Sequence, residues 1–463
     1  MNHTLTLKSY TRSKHQLSMS FGIDDLLFTT SYWYNDVDLF ALESRFGQQY
    51  MEKIYVHIMA FEANKLTSLK PDFIDLGIFE QYHTVEFEKL WLTVHQKVWA
   101  QWRYENNLPT YLGPRFLSQP INNAKIPILL EENNEQILLF CGGGKDSLVS
   151  LKLLEKLNIE YASCAYSSSI YGRSETQHQL IENLLKNTSP TKQHKIWMYE
   201  DFLESPILEL AKEYGVISLT AAETPSSMFA ALPIILQHHY RYISLGHERS
   251  ADFPNLIWEQ TGKEVNHQWG KSTEAEHLLN HYIQQQLVSN VHYFSLLKPI
   301  YDVVIFNLLR ENLESVAFTH SCNIEKPWCK KCAKCAYIWL NYMAYLPIDL
   351  VNQIFEINLF DVPENQLWFR QMLGLEKHTP FECIGQIEES KLAFELCRRK
   401  GLTGKAMQMF IEEVSNVDLN LAVHNYATVN KNYHSFPQHI ANVIFSELDL
   451  AAIESKDYIN QFI

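Results

Sequence analysis

Long apolar runs are absent from this sequence of 463 residues. No segment approaches the roughly 20 consecutive apolar residues that span a bilayer, and FAALPIILQ is too short. Residues 1–17 lack the apolar core and the small-residue cleavage site of a signal peptide. We therefore expect a cytoplasmic protein that makes no membrane contact.

Basic residues are scarce relative to acidic ones. The chain has 39 Lys and Arg against 53 Asp and Glu, which gives a formal net charge of -14. Duplex nucleic acids are bound mainly by Lys and Arg that neutralise phosphates, so this balance argues against a nucleic-acid partner. Hydrophobic residues make up 46% of the chain, an ordinary globular composition, and the length favours two or three domains.

Cysteine is sparse outside one short segment. Four of the eight cysteines are scattered, and the other four lie within CNIEKPWCKKCAKC as Cys322, Cys329, Cys332 and Cys335. Without a secretory signal, such a cluster favours a metal site over disulfides. Four thiolates suit a closed tetrahedral Zn²⁺ site with a structural role, and the same spacing leaves a [4Fe–4S] cluster as the alternative.

The order of elements predicts an α/β fold with flanking regions. Strand-like and helical segments alternate from about residue 136, which predicts a mostly parallel sheet with helical crossovers. We assign residues 1–130 to an aromatic-rich α+β domain that caps or shapes a substrate site, with an amphipathic helix over residues 85–104. Residues 131–345 form the sheet domain that ends in the four cysteines, and residues 346–463 form a mainly helical region. The polar stretch 118–136 marks the first boundary.

A glycine-rich loop follows the first strand of this sheet domain. CGGGKDS, residues 141–147, lies between an apolar strand and a helix, where bare backbone amides and the helix N-terminus bind phosphate. Lys145 would offset the charge, and a carboxylate such as Asp146 beside phosphates implies Mg²⁺. The loop is not a Walker A motif, because Asp146 and Leu139 occupy the positions of its Ser/Thr and first Gly.

The same loop resembles the S-G-G-x-D-S motif of the PP-loop ATP pyrophosphatases, which split ATP into AMP and pyrophosphate. Gly142 stands where that family has serine, whereas Gly143, Gly144, Asp146 and Ser147 match. The resemblance implies a Rossmann-like nucleotide-binding sheet. It also implies that Ser167 and Ser168, at the end of the second strand, hold the adenosine.

Further segments between about residues 130 and 390 resemble one branch of this superfamily. EVNHQ, SCN, WCKKCAKC and PFECIG together are similar to UDP-N-acetyl-α-D-muramoyl-L-alanyl-L-glutamate epimerases of bacterial cell-wall synthesis. The resemblance implies an ATP- and Mg²⁺-dependent inversion of the terminal L-glutamate of a nucleotide-sugar dipeptide. A zinc site is also implied, because similar cysteine clusters follow the PP-loop domain in 7-cyano-7-deazaguanine synthases.

Within these segments we expect the proton-transfer and substrate-binding residues. Imidazole and thiol groups titrate close to neutral pH, which makes His267 a candidate base and Cys383 with Glu382 a second candidate pair. The candidates for substrate contacts are His247, Glu248, Arg249, Asn266, Lys271 and Lys298. The sequence does not fix the oligomeric state.

Two other functions fit parts of this pattern. The first is an amide- or nitrile-forming ligase resembling the deazaguanine synthases, which would use the same loop to activate a different carboxylate. The second is a nucleotide-sensing scaffold protein whose zinc site supports partner binding. The complete Lys145-Asp146-Ser147 set favours an enzyme over a scaffold.

Overall fold

The structure is a computed structural model that describes residues 2–122, 127–131, 134–202, 205–414 and 417–462. Its strands are β1 Thr4–Arg12, β2 Gln16–Ile23, β3 Leu26–Tyr34, β4 Phe73–Asp75, β5 Arg115–Phe116, β6 Asn134–Cys141, β7 Tyr161–Ser168, β8 Gln193–Glu200, β9 Tyr240–Leu245, β10 Leu256–Trp258, β11 Lys263–Val265 and β12 His292–Ser295.

Helices surround these strands and make up the C-terminal region. They are α1 Leu39–Phe46, α2 Gln48–Ala63, α3 Val85–Val98, α4 Ala100–Glu105, α5 Lys145–Lys156, α6 Ser174–Leu185, α7 Ile207–Glu213, α8 Glu223–Ala230, α9 Leu232–His238, α10 Thr273–Gln286, α11 Asp302–Leu308, α12 Leu313–Val316, α13 Ala333–Tyr345, α14 Ile348–Phe355, α15 Asn365–Met372, α16 Ile387–Arg399, α17 Lys405–Glu413, α18 Leu419–Tyr426 and α19 Gln438–Asn460.

A ten-stranded sheet runs through the protein in the order β12-β9-β6-β7-β8-β3-β2-β1-β4-β5. The strands from β12 to β8 are mutually parallel, as the alternating pattern predicted. The N-terminal hairpins join this sheet through β3, which pairs with β8 in antiparallel fashion. The predicted mixed α/β class with a predominantly parallel sheet is therefore confirmed.

The core extends over both faces of the sheet. On one face, α5, α11 and α13 cover β6 and β7 in a cluster that continues into the C-terminal helices. On the other face, the N-terminal strands and α2 pack with α8, α9 and α10. Phe61 of α2 stacks on Phe229 of α8, with ring centroids 4.4 Å apart, so residues before 130 share a core with the parallel sheet.

One predicted helix is divided, because the segment 85–104 forms α3 and α4, which are separated at Trp99. The apolar segment that contains FAALPIILQ forms α8 and α9, because Pro233 starts a new helix in its first turn. Within the boundary stretch 118–136, residues 123–126 and 132–133 lie outside the described part, and the assignment of separate domains stays a prediction.

Across the described ranges, we find no helix with the length and apolarity required to cross a bilayer.

Candidate active site

A cavity of about 470 Å³ opens where the parallel strands end. Gly142, Asp146 and Ser147 of the glycine loop line it, together with Ser167 and Ser168 at the end of β7. Ligands bind at this edge in parallel α/β sheets, because the loops between strands and helices converge there. Among the other predicted site residues, Gly144, His247, Lys271 and Cys383 line the same cavity.

The three glycines of the loop face different surroundings. A Cβ at Gly142 would meet no atom within 4 Å, so this position faces open space. Gly143 has a φ of +82°, and a Cβ there would lie 2.1 Å from Cε1 of His320. A Cβ at Gly144 would lie 2.8 Å from the Ser321 hydroxyl oxygen. Close packing against residues 320–321 therefore requires the second and third glycines, whereas the first leaves room for a ligand.

Helix α5 begins at this loop without a side-chain cap. Its N-cap residue is Gly144, which has no side chain to accept a hydrogen bond from the first amides. The Gly142 amide donates to the Ser147 hydroxyl oxygen at 3.1 Å, which folds the loop over the helix N-terminus. The amides of a helix N-terminus and the positive end of the helix dipole favour a bound anion.

Lys145 points away from the cavity into the protein. Its ammonium lies 2.5 Å from the Asp146 carboxylate and 2.6 Å from that of Asp302. Tyr337 donates a hydrogen bond to the other Asp302 oxygen at 2.8 Å. Lys145 is 1% exposed, and it orients the carboxylate of Asp146 at the cavity wall.

The serines at the end of β7 differ in their bonding. The hydroxyl of Ser167 is buried and has no hydrogen-bond partner among the described residues, so it is available to a ligand. The hydroxyl of Ser168 accepts a hydrogen bond from the Ile170 amide at 3.4 Å. Gln177 fixes this turn, because its side-chain amide donates to the Ser168 carbonyl oxygen at 2.8 Å.

Cys383 lies between two basic side chains at the cavity. Burial raises the pKa of its thiol, but the positive charge of Lys271 and a hydrogen bond with His267 outweigh burial and lower the pKa to about 7. For His267, burial acts to lower the pKa, and the interaction with Cys383 prevails and raises it. The predicted candidates His267 and Cys383 are thus neighbours, and each shifts the pKa of the other toward its charged form.

Three residues that were not predicted from the sequence contact His267 or the loop that carries Cys383. Gln101 of α4 bonds Nδ1 of His267 through its side-chain oxygen at 2.6 Å. Lys334 donates a hydrogen bond to the carbonyl oxygen of Cys383. Asn323 donates to the predicted Glu382 carboxylate at 3.2 Å. Lys334 and Asn323 are next to clustered cysteines in the sequence, and this position could have identified them as site residues. No sequence feature distinguishes Gln101.

His247 and Glu248 follow β9 at the same edge. Nδ1 of His247 lies 3.3 Å from the hydroxyls of Tyr293 and Ser295, and burial holds the pKa of this imidazole well below its usual range. Burial raises the pKa of Glu248, but the positive charges of Lys271, Lys145 and Lys298 outweigh it and lower the pKa to about 2. One Glu248 oxygen, Oε2, is buried without a hydrogen-bond partner.

The remaining predicted substrate contacts are engaged within the protein. Lys298 is fully buried and donates to the carbonyl oxygens of Lys271 at 2.6 Å and Glu248 at 3.0 Å. Asn266 donates to the Ala251 carbonyl oxygen at 3.0 Å. Arg249 pairs with Asp252, and its guanidinium lies 3.5 Å from the ring centroid of Tyr433. These side chains support the loops around the cavity and do not line it.

The four clustered cysteines converge on one point. The sulfur atoms of Cys322 and Cys332 are 3.8 Å apart, as are those of Cys329 and Cys335, and all four lie within 4.8 Å of one another. Tetrahedral thiolates at about 2.3 Å from a zinc ion are about 3.8 Å apart. An iron–sulfur cube would stand between the thiolates and separate them further. The cluster therefore has the geometry to hold a single metal ion such as zinc.

Two family models match the chain in succession. The MurL N-terminal domain matches residues 203–296, and the MurL C-terminal domain matches residues 315–422. These ranges contain His267, the cysteine cluster and Cys383. No solved structure matches the chain.

Similar proteins carry one common name, UDP-N-acetyl-alpha-D-muramoyl-L-alanyl-L-glutamate epimerase. The protein from a Micromonospora species is 29% identical over 65% of this chain and 66% of its own length, and that from Salinispora tropica is 27% identical over 65% and 64%. A Xanthomonas oryzae protein is 28% identical over 55% of each chain. The matches thus cover less than two thirds of these relatives' lengths. These matches support the resemblance to the MurL family, over residues 203–296 and 315–422, and to proteins named UDP-N-acetyl-alpha-D-muramoyl-L-alanyl-L-glutamate epimerase.

Proposed function

We propose that this protein is an ATP-dependent epimerase that inverts the terminal L-glutamate of UDP-MurNAc-L-Ala-L-Glu during peptidoglycan precursor synthesis. The reaction proceeds through an acyl adenylate and releases AMP and pyrophosphate. One observation carries the proposal: the Cys383 thiol, in contact with His267 and Lys271, lines the same cavity as the glycine loop. A single cavity thus combines a phosphate-binding loop with a group able to move a proton.

The chemistry explains why both parts are needed. The α-proton of a free carboxylate is very weakly acidic, because its removal adds negative charge to an anion. Adenylation of the carboxylate removes that charge and produces an acyl group that delocalises the carbanion. A thiolate with a pKa near 7 is then a sufficient base at neutral pH.

The loop supports the activation step. Uncapped amides at the start of α5 and the open space beside Gly142 suit the phosphates of ATP. Asp146 would bind the Mg²⁺ that accompanies these phosphates, with Lys145 and Asp302 fixing its orientation. The unpartnered hydroxyl of Ser167 would contact the adenosine.

Cys383 and His267 would serve the proton transfer. In this proposal the Cys383 thiolate removes the α-proton from one face of the activated glutamate. The carbanion then takes up a proton from solvent on the opposite face, and water hydrolyses the acyl adenylate to AMP and the D-glutamate carboxylate. His267, whose pKa is raised by Cys383, stabilises the thiolate through its positive charge. Lys271 keeps the thiolate form favourable through its positive charge.

The N-terminal region would shape the part of the site that receives the nucleotide sugar. Phe61, Glu62 and Lys65, in and just after α2, line the cavity, and so does Glu200 at the end of β8. Lys65 forms ion pairs with the carboxylates of Glu62 and Glu200, so this wall is polar and the positive charge of Lys65 is already paired. The use of ATP assigns the reaction to the cytoplasm, and the four cysteines would hold a structural Zn²⁺.

The test is release of pyrophosphate by the purified protein in the presence of ATP and Mg²⁺. We expect release with UDP-MurNAc-L-Ala-L-Glu and none with a deazaguanine carboxylate. Asp146→Ala should abolish release with an unchanged circular dichroism spectrum, because Lys145 keeps Asp302 as its partner. Asp349→Ala, at an exposed position, is the matched control. Retained turnover by Asp146→Ala would sink the assignment of the loop.

A further inference from the structure

A second group of metal-type ligands lies at the opposite edge of the sheet. Asp36 follows β3, His194 is the second residue of β8, and His238 is the last residue of α9. Their ligand atoms all lie within 4.8 Å of one another. The glycine loop and its cavity are at the other ends of the parallel strands, so this group is separate from the candidate active site.

We propose that Asp36, His194 and His238 form a binding site for one divalent transition-metal ion such as Zn²⁺. Nδ1 of His194 lies 3.0 Å from the Asp36 carboxylate, and Nε2 of His238 lies 3.1 Å from it. Ligands at about 2.0–2.2 Å from a zinc ion are separated by roughly 3.4 Å in a tetrahedron, so a small adjustment accommodates the ion. Two imidazoles and one carboxylate leave a fourth position for water.

An unpartnered nitrogen in this group points to an ion. Nε2 of His238 is buried without a hydrogen bond of acceptable geometry among the described residues, although it lies 3.1 Å from the Asp36 carboxylate, whose Oδ2 is ion-paired with Lys192. Buried polar atoms of this kind are rare in folded proteins and require an explanation such as an ion. A metal between the two atoms would use both lone pairs.

The surroundings of His194 suit a metal ligand. The residue is fully buried, and its Nε2 lies 2.8 Å from the hydroxyl of Tyr240. When the Tyr240 oxygen accepts a hydrogen bond from the Nε2–H group, the lone pair of Nδ1 faces Asp36. Metal-binding histidines commonly have such a partner on the other ring nitrogen, because it fixes the tautomer and the ring orientation.

The ammonium group of Lys192 places a positive charge beside Asp36 and His238. It lies 2.9 Å from Oδ2 of Asp36 and 3.3 Å from Nδ1 of His238. The side chain is 46% exposed, so it can withdraw into solvent when an ion binds. A bound ion would connect the N-terminal region, through Asp36, to β8 and α9.

Cobalt(II) is the probe, added to protein whose four-cysteine site retains its metal. We expect one Co²⁺ per chain with the visible d–d bands of a four-coordinate ion and no thiolate charge-transfer band. Asp36→Asn, which keeps the shape of the side chain, and His238→Gln should each lose this binding. Lys192→Ala should bind Co²⁺ about fivefold more tightly or better, because it removes a neighbouring positive charge.

Other outcomes would overturn the site. The inference fails if wild-type protein binds no Co²⁺ beyond the four-cysteine site, or if Asp36→Asn and His238→Gln bind as the wild type does. Weaker Co²⁺ binding by Lys192→Ala would contradict the site as proposed. It would mean that Lys192 is part of a hydrogen-bonded polar cluster and is not displaced by a metal ion. Circular dichroism of each variant checks that loss of binding is not loss of fold.

Discussion

The ammonium group of Lys334 donates a hydrogen bond to the carbonyl oxygen of Cys383. Lys334 lies between Cys332 and Cys335 of the metal-type cluster, and both Lys334 and Cys383 line the cavity. Asn323, next to Cys322, bonds Glu382 in the same loop. The segment that contains the cysteine cluster therefore also positions the loop that carries Cys383, the candidate base.

Removal of the Lys334 side chain should reduce activity without removing the metal. Lys334→Met keeps most of the apolar stem and deletes the charged donor, whose hydrogen bond is worth about 1.5–3 kcal/mol. We expect kcat to fall roughly 10- to 100-fold, because Cys383 loses its fixed position. Lys331→Met, at an exposed position of the same segment, is the control and should keep wild-type kcat. Equal kcat values for the two variants would contradict this role.

The glycines of the loop should respond differently to substitution. Gly142→Ser should keep the fold and activity, because no atom lies within 4 Å of the new Cβ. Gly143→Ala should lower the free energy of unfolding by about 1–3 kcal/mol and abolish ATP cleavage, since its φ is +82° and His320 occupies the space of the Cβ. Urea unfolding and pyrophosphate release measure the two effects. Wild-type stability and ATP cleavage by Gly143→Ala would contradict the close packing of His320 against this position.

The thiol of Cys383 should react with iodoacetamide in a pH-dependent manner. Its pKa is lowered to about 7, so the reactive thiolate forms as the pH rises through 7, and the rate should be half-maximal near that pH. Lys271→Met should shift the midpoint upward, toward the ordinary thiol value of 9.0, because the lysine charge no longer stabilises the thiolate.

Buried Cys397 serves as the internal control for this titration. Burial raises the pKa of its thiol to about 12, so it should stay unmodified over the same pH range. Peptide mapping by mass spectrometry assigns the modified cysteine. A midpoint for Cys383 that is unchanged in Lys271→Met would show that Lys271 does not set its pKa.

Loss of one clustered cysteine should remove one zinc ion per chain. Cys332→Ser replaces a thiolate in a group whose sulfur atoms lie within 4.8 Å of one another. We expect elemental analysis to find one zinc fewer per chain than in the wild type, together with a lower melting temperature. Cys397→Ala, outside the cluster, should keep the wild-type zinc content. Iron in freshly purified protein would instead favour a [4Fe–4S] cluster at the four cysteines.

Local patterns in the sequence predicted much of the fold and of the site. Strands β6 to β9 and helix α5 were recognisable because apolar runs and glycine punctuation are local signals. The four cysteines were recognisable by spacing alone, and their convergence in space follows it. The contact of His267 with Cys383 joins two separately predicted candidates.

Contacts between distant segments were not predictable in this way. The pairing of β3 with β8, the ion pair of Lys145 with Asp302 and the bond of Gln101 with His267 join residues more than 150 positions apart. Each depends on the tertiary arrangement, for which a single sequence has no periodic or compositional signal. For the same reason, the burial of Lys298 and Asn266 could not be distinguished from exposure to a substrate.

The central proposal is inversion of an activated glutamate at the cavity shared by the glycine loop and Cys383. Its most direct test is incubation of the protein with UDP-MurNAc-L-Ala-L-Glu, ATP and Mg²⁺ in D₂O. We predict that the D-glutamate product carries deuterium at the α-carbon and that AMP and pyrophosphate accumulate with it. A substrate that keeps its configuration and its α-proton while ATP is intact would contradict the proposal.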